Sequence, residues 1–314
     1  MTPPAAYRTA SILGSVLLGL TASGLSADEN PPTAALTVMT YNLKFASDDP
    51  PNAWPVRRPL VREVIRQHSP DVIGTQEGLY GQLKEIATDL PEYEWIGTGR
   101  EGGSRGEFAA VFYRRARFEP LAYDHFWLSS TPETVGSNTW GGKWPRMVTW
   151  VKFLDRQTKR EFFLWNTHFA NDSQSAREES AKLLRERIAA LDTTLPVVLT
   201  GDFNAAAAAN PAYHVLTRDG FLTDTWLMAK ERKGDGLNTS NGFKAIRREG
   251  VRIDWILTRG ALAADAIEIA TFSRDGQFPS DHFPVVTRLR MEDAKAGADG
   301  DAAGGRQSGN KGGP

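Results

Sequence analysis

Gly201-Asp202-Phe203-Asn204 directly follows the apolar run Leu195-Pro196-Val197-Val198-Leu199-Thr200. A short, bounded run rich in β-branched residues predicts a buried strand. Its C-terminal end delivers a carboxylate and a carboxamide two residues apart. Period-2 alternation sends both to one side, with Phe203 between them facing the core. Gly201 lets another group come close. Gly, Asp and Asn are also ordinary turn residues, so this strand end alone fits a polar loop exit as well as a site.

Five further strand ends carry the same kind of group: Asn42, Glu77, His168, Asp254, and Asp281 with His282. Each has a plainer reading. Glu77 fits a solvated loop carboxylate, His168 a hydrogen-bonded strand histidine, and Asp281-His282 a loop-to-strand entry. Asp254 lies between Ile253 and Trp255, where a bare carboxylate is costly unless paired, so a structural salt bridge would also account for it. Taken together, carboxylate, amide and imidazole groups in a chain with no cysteine suit a hard cation such as Mg²⁺ or Mn²⁺. The same set supplies what phosphoester hydrolysis requires. A cation offsets phosphate charge, a base orients a water, and donors stabilise the pentacovalent transition state. The chain has no Walker-type phosphate loop, no Gly-x-Ser-x-Gly turn and no His-Glu-x-x-His pattern. A covalent serine or cysteine mechanism therefore has little support.

Some nearby residues are less specific. Arg146, in Trp144-Pro145-Arg146-Met147, begins a strand and could grip a phosphate with a bidentate contact or simply lie on the surface. Asp172, four residues past His168, is better placed to N-cap the following helix than to join a site rim. Trp127, Trp140 and Trp144 favour covering a sheet over stacking on a substrate ring.

The elements that must position these groups alternate strands with a few helices. Strand-like runs fall at 36–42, 71–76, 108–113, 147–154, 161–166, 251–257, 266–271 and 283–289. Val56, Leu60, Val61, Val64 and Ile65 have helical spacing after Pro55, which suits a first helical turn. Residues 173–191 predict a helix, with Ser175-Ala176-Arg177-Glu178 as a capping box and Leu184, Ile188 and Leu191 on one face. Strands outnumber helices and many are hairpin-spaced, a pattern for two packed, mainly antiparallel sheets with helices on the outer faces.

With 314 residues and 40% apolar content, the chain can bury a sizeable core. No Pro/Gly/Ser-rich linker interrupts residues 36–291, so they form one domain. Residues 1–27 have the form of a secretory signal peptide. Arg8 precedes an apolar stretch from Ile12 to Leu25, and Leu25-Ser26-Ala27 offers a small-residue cleavage site. The protein is thus expected to be exported, periplasmic or secreted, after cleavage near Ala27. Residues 28–35 read as a flexible spacer, and 292–314 as a disordered Gly/Ala/Asp-rich tail. No later segment has the length and apolarity to span a bilayer. The net charge of −1 becomes −2 without Arg8, which argues against bulk binding of nucleic acid.

The ordered series Tyr41-Asn42-Leu43, Gln76-Glu77, Asn166-Thr167-His168, Gly201-Asp202-Phe203-Asn204, Arg252-Ile253-Asp254-Trp255 and Ser280-Asp281-His282-Phe283-Pro284-Val285 resembles the endonuclease/exonuclease/phosphatase superfamily. That group of metal-dependent phosphoesterases includes pancreatic-type deoxyribonuclease, apurinic endonucleases, neutral sphingomyelinases and inositol-polyphosphate phosphatases. The likeness covers roughly residues 36–290. It implies an α+β, four-layer αββα sandwich and a Mg²⁺ or Mn²⁺ cofactor. It further implies Glu77 as principal metal ligand with Asn42, and Asp281 as a second metal or water contact. Asp202 would orient or deprotonate the attacking water, and Asn204 would hold that water or the phosphate. His168 would donate to a phosphate oxygen, while Asp254 would fix the tautomer of His282 at the phosphate. Whether Asp202 or His282 is the base stays open at the level of sequence.

The expected activity is that of an exported phosphodiesterase or phosphatase acting on a phosphoester whose identity, like the oligomeric state, the sequence leaves open. A secreted nuclease acting on DNA or RNA is the first alternative, and a catalytically silent binding module the second. The 205–211 loop after the Asp-Phe-Asn motif carries no basic side chain to grip a polynucleotide. All six strand-end sites are present, which speaks against the silent module.

Overall fold

The computed structural model describes residues 34–191, 193–246 and 248–292. The expected signal peptide at 1–27, the spacer apart from residues 34 and 35, and the tail from residue 293 lie outside the described residues. The chain runs through β1 (Leu36–Asn42), α1 (Trp54–His68), β2 (Val72–Gly78), α2 (Tyr80–Asp89), β3 (Tyr93–Ile96), β4 (Phe108–Arg114) and β5 (Phe118–Trp127). It continues through β6 (Met147–Asp155), β7 (Glu161–His168), α3 (Gln174–Ala189), β8 (Val197–Asp202), α4 (Pro211–Thr217) and β9 (Thr223–Asp224). The last described elements are α5 (Thr225–Met228), β10 (Glu231–Lys233), β11 (Asp254–Arg259), β12 (Leu262–Ile269) and β13 (Val285–Met291).

Two sheets result, one ordered β10-β12-β13-β1-β2-β4-β3 and the other β5-β6-β7-β8-β11-β9. Both faces of the central strands are apolar, because each sheet is covered twice. Val38, Val72, Val111, Phe153, Phe162, Leu164, Val198 and Val285 fill the layer between the sheets. The alternate residues point outward. Met39, Tyr41, Ile73 and Phe112 meet Val61, Val64 and Ile65 of α1 and Leu83 and Ile86 of α2. Trp165, Leu199, Trp255 and Leu257 meet Leu184 and Ile188 of α3 and Leu216 of α4. The αββα sandwich expected from the strand pattern is the observed architecture.

Strand direction gathers the chemistry at one edge. Most pairings are antiparallel, but β10 runs parallel to β12 and, at the centre of the sheets, β1 runs parallel to β2 and β7 parallel to β8. The C-terminal ends of β1 and β2 therefore emerge together, as do those of β7 and β8. In an antiparallel neighbour, the strand start lies beside those ends. Asp254, the first residue of β11, is the register partner of Asp202, the last of β8. β13 starts beside the end of β1 in the same way, which brings Asp281 and His282 to the same edge.

A buried polar seam joins the sheets just beneath that edge. Asn166 of β7 donates to the backbone carbonyls of Thr75 and Ala110 at 2.8 and 2.9 Å, and accepts from Gln76 at 2.7 Å and from the Thr200 hydroxyl at 3.1 Å. Gly74 makes this crossing possible. A Cβ there would overlap the Thr200 hydroxyl and come within 2.6 Å of Asn166 Oδ1.

Local details differ from the sequence pattern where tertiary contacts outbid it. The cap of α3 is Ser173, whose hydroxyl accepts from the Ala176 N–H, not Ser175. Asp172 does not cap that helix; its carboxylate accepts from the Lys143 N–H at 2.8 Å and pins the β5–β6 loop. Residues 251–253 precede β11 rather than extend it, and the run expected to begin at 266 starts at Leu262. Trp127 is buried and Trp140 packs against the outer core, whereas Trp144 is 43% exposed.

Candidate active site

Asp202 stands at the centre of the edge. It is 1% exposed, and its Oδ1 accepts from the Asn204 N–H at 2.9 Å. Its Oδ2 accepts from the Asn42 carboxamide at 2.9 Å and lies 3.5 Å from His168 Nε2 and 3.8 Å from His282 Nε2. Asn42 also donates to Glu77 Oε1 at 3.0 Å, so one carboxamide bridges the two carboxylates. Glu77 reaches that position through a bulge in β2 between Thr75 and Gly78, where its own φ is +61°. Asn204 is not carried there by strand alternation. β8 ends at Asp202, and Asn204 turns back in a left-handed conformation with φ +48°, a conformation Asn tolerates better than most residues. Phe203 points into the core as expected and stacks on Trp255 with centroids 4.2 Å apart.

The two histidines are held differently. His282 Nδ1 meets Asp254 Oδ2 at 2.9 Å. The loop before it is tied to β1, because the Ser280 hydroxyl donates to the Asn42 carbonyl at 2.6 Å. His168 Nδ1 lies 2.7 Å from Arg146 Nη1. A guanidinium only donates, so Nδ1 is the acceptor and the proton of neutral His168 sits on Nε2. Arg146 is thus no surface residue but a buried one, 8% exposed. Asp281 joins the cluster through Lys44, whose ammonium lies 3.3 Å from Asp281 and 3.9 Å from Glu77. Every residue singled out at the strand ends, together with Arg146, comes to this one edge.

Three groups here escaped the sequence reading. Lys44 lies two residues past Asn42 with no periodic signal to mark it. Glu107 and Arg100 pair at 2.6 Å, with Glu107 also 4.0 Å from Arg146. Glu107 immediately precedes the apolar run of β4, so examining every strand start as well as every strand end would have found it.

The electrostatics divide the titrating groups. Burial, with the charge of Asp254 beside it, pushes the Asp202 carboxyl up to about 7, against the hydrogen bonds from Asn42 and Asn204. For His282 burial opposes the charged form, but Asp254 and Asp202 overcome it and raise the imidazole to about 10. His168 goes the other way. Burial and the nearby Arg146 guanidinium hold it well below its ordinary value. At neutral pH the site therefore contains a neutral His168, an imidazolium at His282, and a carboxyl at Asp202 poised to exchange a proton.

The sign of the His282 shift gives a stability prediction. Its folded value lies above its unfolded one near 6.5, so the stabilisation is present in full below about pH 6.5 and is lost as pH rises through about 10. In EDTA, thermal melts should fall from pH 7 to pH 10, and Asp254→Asn should flatten that slope. An unchanged slope in the variant would refute the assignment.

The donor set fits a hard divalent cation. Ligand atoms of Glu77, His168 and Asp202 lie within 4.8 Å of one another, as do those of Asp202, Asp254 and His282. Asp254 Oδ1 and Asp281 Oδ1 are buried without a hydrogen-bond partner. Crowded carboxylates with unsatisfied oxygens are what an oxygen-seeking ion relieves.

Comparison with known proteins bears on the family and the fold. A family model described as the Endonuclease/Exonuclease/phosphatase family matches residues 39–282. An endonuclease/exonuclease/phosphatase family protein from Bacteroides thetaiotaomicron superposes with a TM-score of 0.78 at 32% identity, covering 82% of this chain and 96% of that one. A mannosyl-6-phosphatase from the same organism gives a TM-score of 0.75 at 32% identity, covering 81% and 99%. An uncharacterized protein of Acanthamoeba polyphaga mimivirus is 29% identical over 160 residues, a match that spans 48% of this chain and 59% of the viral one.

Proposed function

This chain belongs to the endonuclease/exonuclease/phosphatase family, and we propose that it is an exported phosphoesterase that cleaves a phosphodiester by in-line attack of water, with Mg²⁺ or Mn²⁺ at the site. The observation that carries this reading is the convergence on Asp202 of two groups of ligand atoms, Glu77 with His168 and Asp254 with His282, each within 4.8 Å, where the Asp202 carboxyl is pushed up and the His282 imidazole is raised. A group titrating near the working pH suits a base, and one protonated throughout suits a donor. Asp202 is accordingly the base and His282 the cationic donor to a phosphoryl oxygen.

The neutral His168 carries its proton on Nε2, which lies 3.5 Å from Asp202 Oδ2 and 3.1 Å from the Asn204 carboxamide nitrogen; once Asn204 turns to the water or the phosphate, Nε2 donates to a second phosphoryl oxygen. Asp254 holds the His282 ring through Nδ1. Asn204, which donates to the Phe169 carbonyl at 3.1 Å, has its carboxamide anchored beside His168, where it can hold the water or the phosphate. Arg146 orients His168 and places a cation where phosphate charge gathers. Glu77, with Asn42 and Asp281, would hold the divalent ion, which when bound offsets phosphate charge and polarises the phosphoryl oxygen.

A second reading has one specific support. The relative named as a mannosyl-6-phosphatase matches along nearly its whole length, which favours a sugar phosphomonoester as substrate. A nuclease is less favoured by the net charge of −1 and by the absence of Lys and Arg at 205–211. The export reading rests on the composition of residues 1–27, and the mature N-terminus should be Asp28 by terminal sequencing.

The purified mature protein should hydrolyse bis(p-nitrophenyl) phosphate with added Mg²⁺ or Mn²⁺ and stop in EDTA. A panel of sugar phosphates, phospholipid head groups and plasmid DNA then ranks the substrates. No turnover with any divalent metal would sink the enzyme reading.

A further inference from the structure

Lys44 lies between two of the carboxylates expected to hold the divalent ion. Its ammonium is 3.3 Å from Asp281 Oδ2 and 3.9 Å from Glu77 Oε2. Neither carboxylate makes another ion pair among the described residues. Glu77 sits in the bulge of β2 and Asp281 in the segment before β13. A single cation from the loop after β1 therefore ties three distant pieces of backbone together at the catalytic edge.

The anchor of this cation is fixed while its head is free to move. Lys44 has a φ of +52°, a left-handed conformation uncommon for any residue but glycine. Its N–H donates to Asn42 Oδ1 at 3.0 Å, and its carbonyl accepts from Gln82 at 3.0 Å and from Arg57 at 3.1 Å. Those bonds hold the backbone so that the side chain is delivered to the carboxylates. The side chain itself is 31% exposed, on a flexible stem that ends in a compact point charge. It can swing outward without unpacking the loop. An arginine here would grip a carboxylate with two parallel bonds, whereas a lysine can let go.

A divalent ion held by Glu77 and Asp281 would face this ammonium at close range, and two cations repel strongly at a partly buried site. We infer that Lys44 is a tethered counter-ion of the metal site, which keeps Glu77 and Asp281 together until Mg²⁺ or Mn²⁺ displaces it, and which thereby sets the affinity for the ion. The inference rests on the reading of Glu77 and Asp281 as metal ligands. It makes Lys44 a positioning residue that acts through them.

Removing such a cation has two effects of opposite sign. Glu77 and Asp281 lose their partner, so Lys44→Met should melt below the wild type in EDTA. The competitor for the ion is also gone, so calorimetric titration of the mature protein with Mn²⁺ should show Lys44→Met binding at least about tenfold more tightly. Lys44→Arg, which keeps the charge and grips harder, should bind Mn²⁺ no more tightly than the wild type. A residue that only supported the loop would, on removal, lower stability and metal binding together. A second measurement needs no variant. Acetylation of Lys44 by acetic anhydride, followed by peptide mass spectrometry, should increase on saturation with Mg²⁺ relative to the exposed Lys159. If the wild type binds no Mn²⁺, the metal-dependent reading falls and takes this inference with it. If the wild type binds Mn²⁺ but Lys44→Met binds it no more tightly, or if Mg²⁺ leaves Lys44 as protected as before, this inference alone is overturned.

Discussion

Asp202→Asn should lower turnover on a phosphoester by on the order of 10³-fold and leave the fold at least as stable as it was. The two halves of this result come from the same observation. Asp202 is wholly buried and lies beside Asp254, so its ionised form costs energy in the folded protein, which is why its pKa rises to about 7. Asn has the same shape and keeps an oxygen for the Asn204 N–H, now bonded at 2.9 Å; its nitrogen forfeits the bond that Oδ2 accepts from Asn42, a loss of about 1 kcal/mol that relief of the buried charge offsets. It removes the charge that burial and Asp254 oppose. Stability measured in EDTA should therefore hold or increase, as is common where a site keeps unfavourable charge for function. Activity should collapse because Asp202 is the carboxylate placed between His168 and His282, 3.5 and 3.8 Å from their Nε2 atoms. The comparison needs kcat at saturating Mg²⁺ or Mn²⁺ together with melting curves in EDTA. A variant that retains near-wild-type kcat would remove Asp202 from the role of base. A variant that is inactive but strongly destabilised would mean that the residue acts through structure.

Much of this site could be read from residue type and strand position. Asn42, His168 and Asp202 end strands that belong to parallel pairs, and Asp254 begins the antiparallel strand next to Asp202. A polar residue closing an apolar run marks such an end without any knowledge of the fold. What stayed hidden depends on backbone turns and distant contacts. Glu77 and Asn204 reach the centre through left-handed residues, and no periodicity encodes that turn. The cap of α3 lies at Ser173 because its hydroxyl also donates to the Trp140 carbonyl at 3.3 Å, a contact 33 residues away. α2 was missed because it is short, contains Gly81 and begins after Leu79, which offers no polar cap. Its start is instead secured by Gln82, whose side chain accepts from the Leu79 N–H. Arg57 was the largest omission, since its place in an amphipathic helix marks it as one more charge on α1.

Arg57→Ala should destabilise the protein by about 3–5 kcal/mol, at about 1–3 kcal/mol for each of the two fully buried carbonyls left without a donor, and should weaken divalent-metal binding with it. Arg57 is fully buried, and each of its five N–H donors meets a different backbone carbonyl. Nε donates to Asn52 at 2.8 Å; Nη1 donates to Leu43 at 2.8 Å and Pro279 at 3.0 Å; Nη2 donates to Lys44 at 3.1 Å and Phe45 at 3.0 Å. The guanidinium also lies over Trp54 and Phe243, 5.3 and 5.7 Å from their ring centroids. One side chain thus gathers the loop that follows Asn42 and the segment that precedes Asp281, the two pieces of irregular backbone nearest the expected metal ligands. Without it, five carbonyls lose a donor, two of them, those of Leu43 and Pro279, in fully buried contacts. Lysine is no substitute, because three donors on a flexible stem cannot serve five carbonyls fixed around a plane. Arg57→Lys should therefore recover less than half of the lost stability. Urea denaturation measures the first effect, and calorimetric titration of Mn²⁺ at a temperature where the variant is folded measures the second. If Arg57→Ala unfolds at the wild-type midpoint, the five-carbonyl clamp contributes nothing. If it is destabilised but binds Mn²⁺ as before, the loops hold the ligands in place without the clamp.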